Sequence, residues 1–403
     1  MCIHAAAADA MDTRADATKA DATVTRKDTT ATAVAIKMKT AVVILNWNTK
    51  GFLEKFLPGL ISSVGKAGGA EVIVADNAST DGSMEMMAEK FPDVRTLRFE
   101  SNLGFTGGYN RAFREIESEY FLLINSDIEV SEGWLEPLVE WMDNHPDCGA
   151  CAPKLHSYQE RDKFEYAGAA GGYMDRYGYP LCRGRVLSRL ETDRGQYDSP
   201  KDVFWATGAC LLVRSSVYKA LGGLDERFFA HMEEIDLCWR MQLHGWRVTV
   251  VPESVVWHVG GGTLPAASPF KLQLNFRNNM LMLSNNAAKT YALQMLSKGV
   301  SPERAAEKGL KKASRLLHFR TILNYAAASV YLITLRWNYA KAVFKADSQY
   351  RQLRQKVSSQ DIRGYLDKYG GRAHVSGIYN RWIVLRALMK GERIFNEIES
   401  VVI

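Results

Sequence analysis

The chain predicts an α/β fold: a doubly wound, mostly parallel sheet with helices on both faces, followed by a C-terminal helical region. Three observations carry this reading. Short β-branched or apolar runs alternate with stretches of helical periodicity, the connections between them are short, and polar residues gather where the runs end.

Residues 40–45 (TAVVIL) form the first such run, followed by a helical pattern through Phe52, Phe56, Leu57 and Leu60. Residues 71–75 repeat the strand signal, and a polar turn over 76–83 opens a second helical stretch. Residues 94–99 read as a third strand, 107–117 as a helix and 120–124 (YFLLI) as a fourth strand. Residues 152–199 are rich in Gly, Tyr and Arg and weakly patterned, which predicts a long insertion over the sheet edge. Strand signals resume at 203–213, a helix is expected over 233–244 and a further strand over 247–251. Beyond Pro265 the pattern is helical. The expected organisation is a tail over 1–37, a catalytic domain over 38–265 and a helical region over 266–403.

The 403 residues suffice for a full core and an appendage, and 47% apolar with 24% charged residues is ordinary globular composition. A net charge of +6 is too mild to argue for nucleic acid. The charge is nevertheless uneven: residues 298–345 hold ten Lys/Arg and two acidic residues, so this stretch alone carries +8. Within it, residues 322–335 are fourteen positions without a charge, shorter than the roughly 20 a membrane-spanning helix requires. A peripheral contact with a membrane surface is the functional expectation for this region, and a helix packed on the domain with a solvated basic face is the alternative. Six cysteines at 2, 148, 151, 182, 210 and 238 read as buried thiols in a reducing, cytoplasmic setting, because the pair at 148 and 151 has no second pair or His to complete a zinc site. Residues 1–37 offer no apolar face and no signal-peptide core, so a disordered tail is expected, and Met38 offers a translation start just ahead of the first strand.

In a doubly wound sheet, ligands sit outside the carboxyl ends of the strands. Asn46-Trp47-Asn48, Asp76-Asn77-Ala78-Ser79-Thr80-Asp81-Gly82 and Asn125-Ser126-Asp127 fall there, with the stretch from Asn102 through Gly107 and Gly108 to Asn110 between them. A carboxylate such as Asp76 can accept from a pyrimidine N3–H or from ribose hydroxyls, and glycines let backbone approach a diphosphate. Each piece alone is equally a cap or a turn; four on successive strand ends point to a site. Asp127 closes an apolar strand with no Lys or Arg within six residues, which suits either a divalent cation or a helix N-cap. Three carboxylates, Glu233, Glu234 and Asp236, open the expected helix; they suit either a solvated helix start, whose dipole favours anions, or, between apolar neighbours, a general base of raised pKa. Adjacent helical positions point about 100° apart, so Glu233 and Glu234 cannot both face an acceptor squarely. His258 precedes three glycines, a loop able to fold over a metal or phosphate.

Together the motifs VVILNWN, VADNASTDGS, NLGFTGGYNRA, LLINSD, EEIDLCWR and WHVGGGT resemble the inverting family-2 glycosyltransferases of GT-A fold, in their rhamnosyltransferase-like branch, over about residues 40–263. The resemblance implies transfer of a sugar from a dTDP- or UDP-linked donor to a hydroxyl of a cell-surface polysaccharide or lipid-linked acceptor. It places Asn46, Asn48 and Asp76 along the nucleoside, and Asn102, Gly107, Gly108 and Asn110 along the ribose and diphosphate. Asn125-Ser126-Asp127 then stands for the family's Asp-x-Asp, with Asp127 and His258 on Mg²⁺ or Mn²⁺. The family's Glu-Asp pair is Glu233-Glu234 here, with Glu234 the base, and Thr207 and Gly208 match a segment near the sugar and acceptor. The Asn at 125 and the Glu at 234 depart from the usual Asp.

The rivals are weaker. A nicotinamide-dependent dehydrogenase needs G-x-G-x-x-G after its first strand, where this chain has Asn46-Trp47-Asn48-Thr49-Lys50-Gly51. An inactive sugar-nucleotide-binding module would lack the base, yet all three carboxylates are present. Processive synthases carry QxxRW; Arg336-Trp337 and Arg381-Trp382 lack the Gln.

Overall fold

The elements follow one another as alternating strands and helices, because each β-branched run is closed by Asx, Gly or Ser residues that turn the chain. In the computed structural model, which describes residues 38–65, 68–260 and 268–402, the first half runs β1 (Thr40–Asn46), α1 (Lys50–Val64), β2 (Ala70–Asp76), α2 (Ser83–Lys90), β3 (Arg95–Arg98), α3 (Gly104–Arg114) and β4 (Tyr120–Ile124). Next come β5 (Ile128–Val130), α4 (Leu135–Asn144), β6 (Cys148–Ser157), β7 (Gly172–Asp175), β8 (Pro180–Cys182), β9 (Arg185–Val186), β10 (Arg189–Leu190) and β11 (Lys201–Asp202). The α/β part closes with β12 (Cys210–Arg214), α5 (Ser215–Ala220), α6 (Glu233–Leu243) and β13 (Arg247–His258). The remainder is α7 (Pro269–Leu296), α8 (Pro302–Ile333), α9 (Trp337–Leu353), α10 (Ser359–Tyr369), β14 (Ile378–Tyr379), α11 (Ile383–Lys390) and α12 (Ile394–Val401). The expected tail over 1–37 lies outside the described residues.

The main sheet has the order β11-β13-β6-β12-β4-β1-β2-β3, with β5 pairing β13. Strands β4, β1, β2 and β3 run parallel, in a register that sets Asn46 opposite Asp76 and Ile44 opposite Ile124. Strand β12 enters antiparallel between β4 and β6. Both faces of β1 and β4 are buried, the pattern of a sheet covered by helices on each side.

The structure departs from the sequence expectation in the weakly patterned stretch. It does not begin as a loop: its first residues complete β6 in the centre of the sheet, and the rest builds a second sheet, β10-β9-β8-β7-β14. Its strands are two to four residues long, too short to show a period of two. The expected C-terminal helical region is present and packs on the α/β part. The described residues form one compact unit, β14 completes the second sheet, and Trp239 of α6 donates to Thr290 of α7 at 2.8 Å. The five described cysteines are buried free thiols that burial holds protonated, as expected.

Candidate active site

The loops after β1 and β2 are tied together before any ligand is considered. Asn46 is fully buried; its amide donates to Asp76 Oδ1, Ser79 Oγ and Ser83 Oγ, each at 2.9 Å, and its Oδ1 accepts from Thr49 at 2.6 Å. Asn48, in the left-handed region at φ 55°, accepts from the Thr80 amide at 2.7 Å. Asn77 donates to Asn102 Oδ1 at 2.9 Å and accepts from the Leu103 amide, which fastens the second loop to the start of α3. Asn102 also accepts from the Gly104 amide at 2.8 Å. Four residues expected to line the donor therefore have internal duties. Asn46 is fully engaged. Asn110 donates to Leu224 O and Glu226 and accepts from Tyr218 and the Leu224 amide, so it binds α3 to the segment before α6 and has no bond left for a ligand. Gly108 is where α3 crosses β1: a Cβ there would lie 2.6 Å from Leu45 Cδ1. Gly107 is likewise inside the helix, its space taken by Leu103 Cβ. The helix starts at Gly104, three residues earlier than expected, because only Gly fits φ 71° with the Phe229 ring 2.4 Å from where a Cβ would stand. Asp76, whose oxygens accept from the Asn46 amide and the Ser79 N–H, and Asn48 stay at the loop ends, and Asn102 is tied to the second loop through Asn77.

The antiparallel pairing of β5 with β13 sets His258 opposite Ile128 and so beside Asp127, 131 positions away. His258 Nε2 lies 3.1 Å from Asp127 Oδ1 and 3.3 Å from the Asn125 amide, while Nδ1 lies 3.3 Å from Glu165 Oε1. Burial opposes charge on this ring, but the two carboxylates outweigh it and push its pKa up to about 10. Burial likewise works against the Asp127 carboxylate, yet His258 brings it below its usual value. Asp127 is not a helix N-cap; α4 begins eight residues on, at Leu135. Among the described residues no three His, Cys, Asp or Glu side chains converge as a complete metal cage. Two do fit part of one: neighbouring ligands of an octahedral cation bound at about 2.1 Å stand about 3 Å apart, close to the Asp127–His258 separation. A carboxylate behind the other ring nitrogen, here Glu165, is the usual support of a metal-bound His. Glu165 was not legible in the sequence; it sits in the unpatterned stretch.

The third cluster is the start of α6. Phe229, His231 and Met232 all hold positive φ, and Asn278 of α7 clamps this turn by donating to Phe228 O, Ala230 O and His231 O at 2.7–2.9 Å. The turn presents Glu233 and Glu234 side by side, each with an Oε2 that is out of solvent and without a partner. Burial, and then the charge of Glu234, raises the Glu233 pKa well above its usual value. Burial pushes Glu234 up to about 7, although the backbone amides of Glu234 and Ile235 at the helix start pull it back. Gly208 lies against Glu234: a Cβ there would be 3.3 Å from Glu234 Cβ and 3.4 Å from the Phe105 ring. Asp236 differs in kind. It is fully buried and engaged by Arg240 at 2.7 Å, Asn286 at 2.7 Å and Asn285 at 3.2 Å.

Unpaired buried carboxylates leave a mark on stability. A folded-state pKa raised above the unfolded one means the native state binds more protons, so stability present below about pH 4.5 falls as pH rises through the folded value. Glu233→Gln is expected to flatten this decline, leaving the variant relatively more stable than the wild type at pH 8 than at pH 5. Melting temperatures across that range test it, and parallel curves would contradict it.

Comparison with known proteins agrees with these motifs. Residues 41–222 match the model of glycosyl transferase family 2, a match that ends before α6. The chain is 29% identical over 235 residues to N-acetylglucosaminyl-diphospho-decaprenol L-rhamnosyltransferase of Mycobacterium tuberculosis, covering 54% of this chain and 75% of that protein. It is 26% identical over 147 residues to rhamnosyltransferase WbbL of Escherichia coli K12, covering 35% and 52%. Among solved structures, GalNAc-T7 with UDP, GalNAc and Mn²⁺ superposes with a TM-score of 0.50 at 16% identity, covering 66% of this chain and 52% of that one. At that identity the likeness is one of fold.

Proposed function

We propose that this chain, a family-2 glycosyltransferase of rhamnosyltransferase-like sequence, moves a sugar from a nucleoside-diphosphate donor to a hydroxyl of a polysaccharide or lipid-linked acceptor, with inversion. The single observation that most supports a working catalyst over an inactive binding module is the pair Glu233 and Glu234, each with one carboxyl oxygen, Oε2, out of solvent and without a hydrogen-bond partner. A binding module has no use for two uncompensated carboxylates beside its ligand.

Glu234 takes the proton from the acceptor hydroxyl, which attacks the anomeric carbon from the face opposite the leaving nucleoside diphosphate. Its raised pKa matches that task near neutral pH. Glu233, held protonated by the same burial, limits the negative charge next to the base. Asp76, Asn48 and Asn102 meet the nucleoside and ribose, and Thr207 with Gly208 borders the sugar. Asp127 and His258 would hold a divalent cation, Mg²⁺ or Mn²⁺, which supplies charge to offset the departing diphosphate. His258 would give up its Nε2 proton on binding it, and Glu165 keeps the ring oriented. By relation to the rhamnosyltransferases, dTDP-rhamnose is the first donor to test and a UDP-hexose the second.

No helix among the described residues is long and apolar enough to cross a membrane. A peripheral contact on the inner face of the plasma membrane is proposed for the tip where α8 meets α9: Ile333, Leu335 and Trp337 are 81%, 72% and 62% exposed there, beside Arg336.

Incubating the protein with a panel of nucleotide sugars and measuring released nucleotide tests the activity; release from none of them, with acceptor present, would sink it. EDTA should abolish transfer and Mn²⁺ or Mg²⁺ restore it. Asp127→Ala should weaken donor binding in the presence of Mn²⁺ and leave it unchanged in EDTA. Full activity in chelator would remove the cation from the proposal.

A further inference from the structure

A cavity of about 310 Å³ lies between β7, α7 and α8, at the small end of the range for ligand pockets, about 300–1,000 Å³. Phe204, Trp239, Leu283 and Leu316 give it an apolar floor. Arg176, Lys312 and Arg315 stand exposed among its lining residues, and among the described residues none of the three forms an ion pair. Partial burial, then the charges of Lys298 and Arg176, holds the Lys312 pKa below its usual value. Asp175, a carboxylate in the lining, does not neutralise them; it accepts from the amides of Tyr177, Tyr179 and Ile383 at 2.8–3.0 Å. An apolar floor with exposed cations around it fits an amphiphile with an anionic end and a hydrocarbon chain, and neither a free sugar nor a bare anion uses both parts.

The cavity also borders the catalytic helix. Trp239 stands five residues after Glu234 on α6, about 8 Å along the helix axis. We propose that this cavity is the acceptor's lipid site: the hydrocarbon chain of a lipid phosphate enters over Trp239 and Leu316, and its phosphate is held by Arg176, Lys312 and Arg315. The assignment rests on the lipid-linked reading of the acceptor and fixes which part of that acceptor the protein grips away from the transferred sugar.

Calorimetry on the full chain with dodecyl phosphate tests it, with inorganic phosphate and dodecyl maltoside as the separate halves of the ligand. Dodecyl phosphate should bind saturably at concentrations where neither control does. Lys312→Gln with Arg315→Gln, both exposed and outside the catalytic machinery, should weaken it at least tenfold and leave the melting temperature and nucleotide binding unchanged. Equal binding by the double variant, or full competition by inorganic phosphate, would overturn the site. So would loss of binding to phosphatidylglycerol vesicles with no binding of the monomeric amphiphile, which would mark a membrane-facing surface instead of a slot. If dodecyl phosphate binds as expected but no nucleotide sugar is turned over, the catalytic reading falls and the lipid site stands; turnover without amphiphile binding gives the reverse.

Discussion

Replacing Glu234 by Gln is expected to lower turnover by on the order of 10²–10⁴-fold, with little change in donor affinity. The amide keeps the shape of the side chain and the packing against Gly208 but cannot take a proton. The proposed donor contacts at Asp76, Asn48 and Asn102 lie on other loops, so the loss should fall on kcat. The wild-type rate should rise with pH through about 7, as burial delays ionisation of this carboxyl, and that limb should vanish from the residual activity of the variant. Glu233→Gln is the control within the pair: it should retain most of the turnover, because burial and its neighbour already keep Glu233 protonated. If Glu233→Gln is inactive while Glu234→Gln works, the base is Glu233.

Asp236→Ala should fail in a different way. Two residues beyond the proposed base on the same helix, the carboxylate is a structural one: Asp236 is fully buried and holds Arg240, whose guanidinium in turn donates to Leu221 O and Gly223 O at 3.0 and 2.8 Å. Removing the anion leaves a largely buried guanidinium uncompensated and two Asn amides short of an acceptor, a loss of about 3–5 kcal/mol. Urea unfolding should show the midpoint falling, while any protein still folded keeps the pH limb assigned to Glu234. A stability change below about 1 kcal/mol would mean that the Asp236–Arg240 pair contributes little.

The same helix shows how far residues alone could be read. Three carboxylates in four positions were visible as a chemical anomaly, and helical geometry said that they face different ways. Which faced what was not visible, because the partners of Asp236 come from α7, some fifty positions on. Asn110 and Gly108 show what a motif leaves open. They sit in a motif that reads as diphosphate-binding, but Asn110 is engaged by Tyr218, Leu224 and Glu226, and Gly108 by Leu45. A motif marks a segment whose residues matter together and does not separate those that touch a ligand from those that hold the segment in place.

What the sequence determined by itself is local: the β-branched runs of β1, β2 and β4, the helical period of α1 and α6, and polar residues at the strand ends. Each follows from forces acting over a few residues, namely rotamer restriction, burial of continuous apolar runs and the capping needs of backbone amides. What only the tertiary structure decided is long-range. It brought His258 to Asp127 through the β5–β13 pairing, set Glu165 behind that ring from an unpatterned stretch, and clamped the strained turn before Glu233 with Asn278. Those contacts depend on loop closures of about fifty to 130 residues. No periodicity records them, because their energy is set by which buried polar atoms find partners once the sheet has formed.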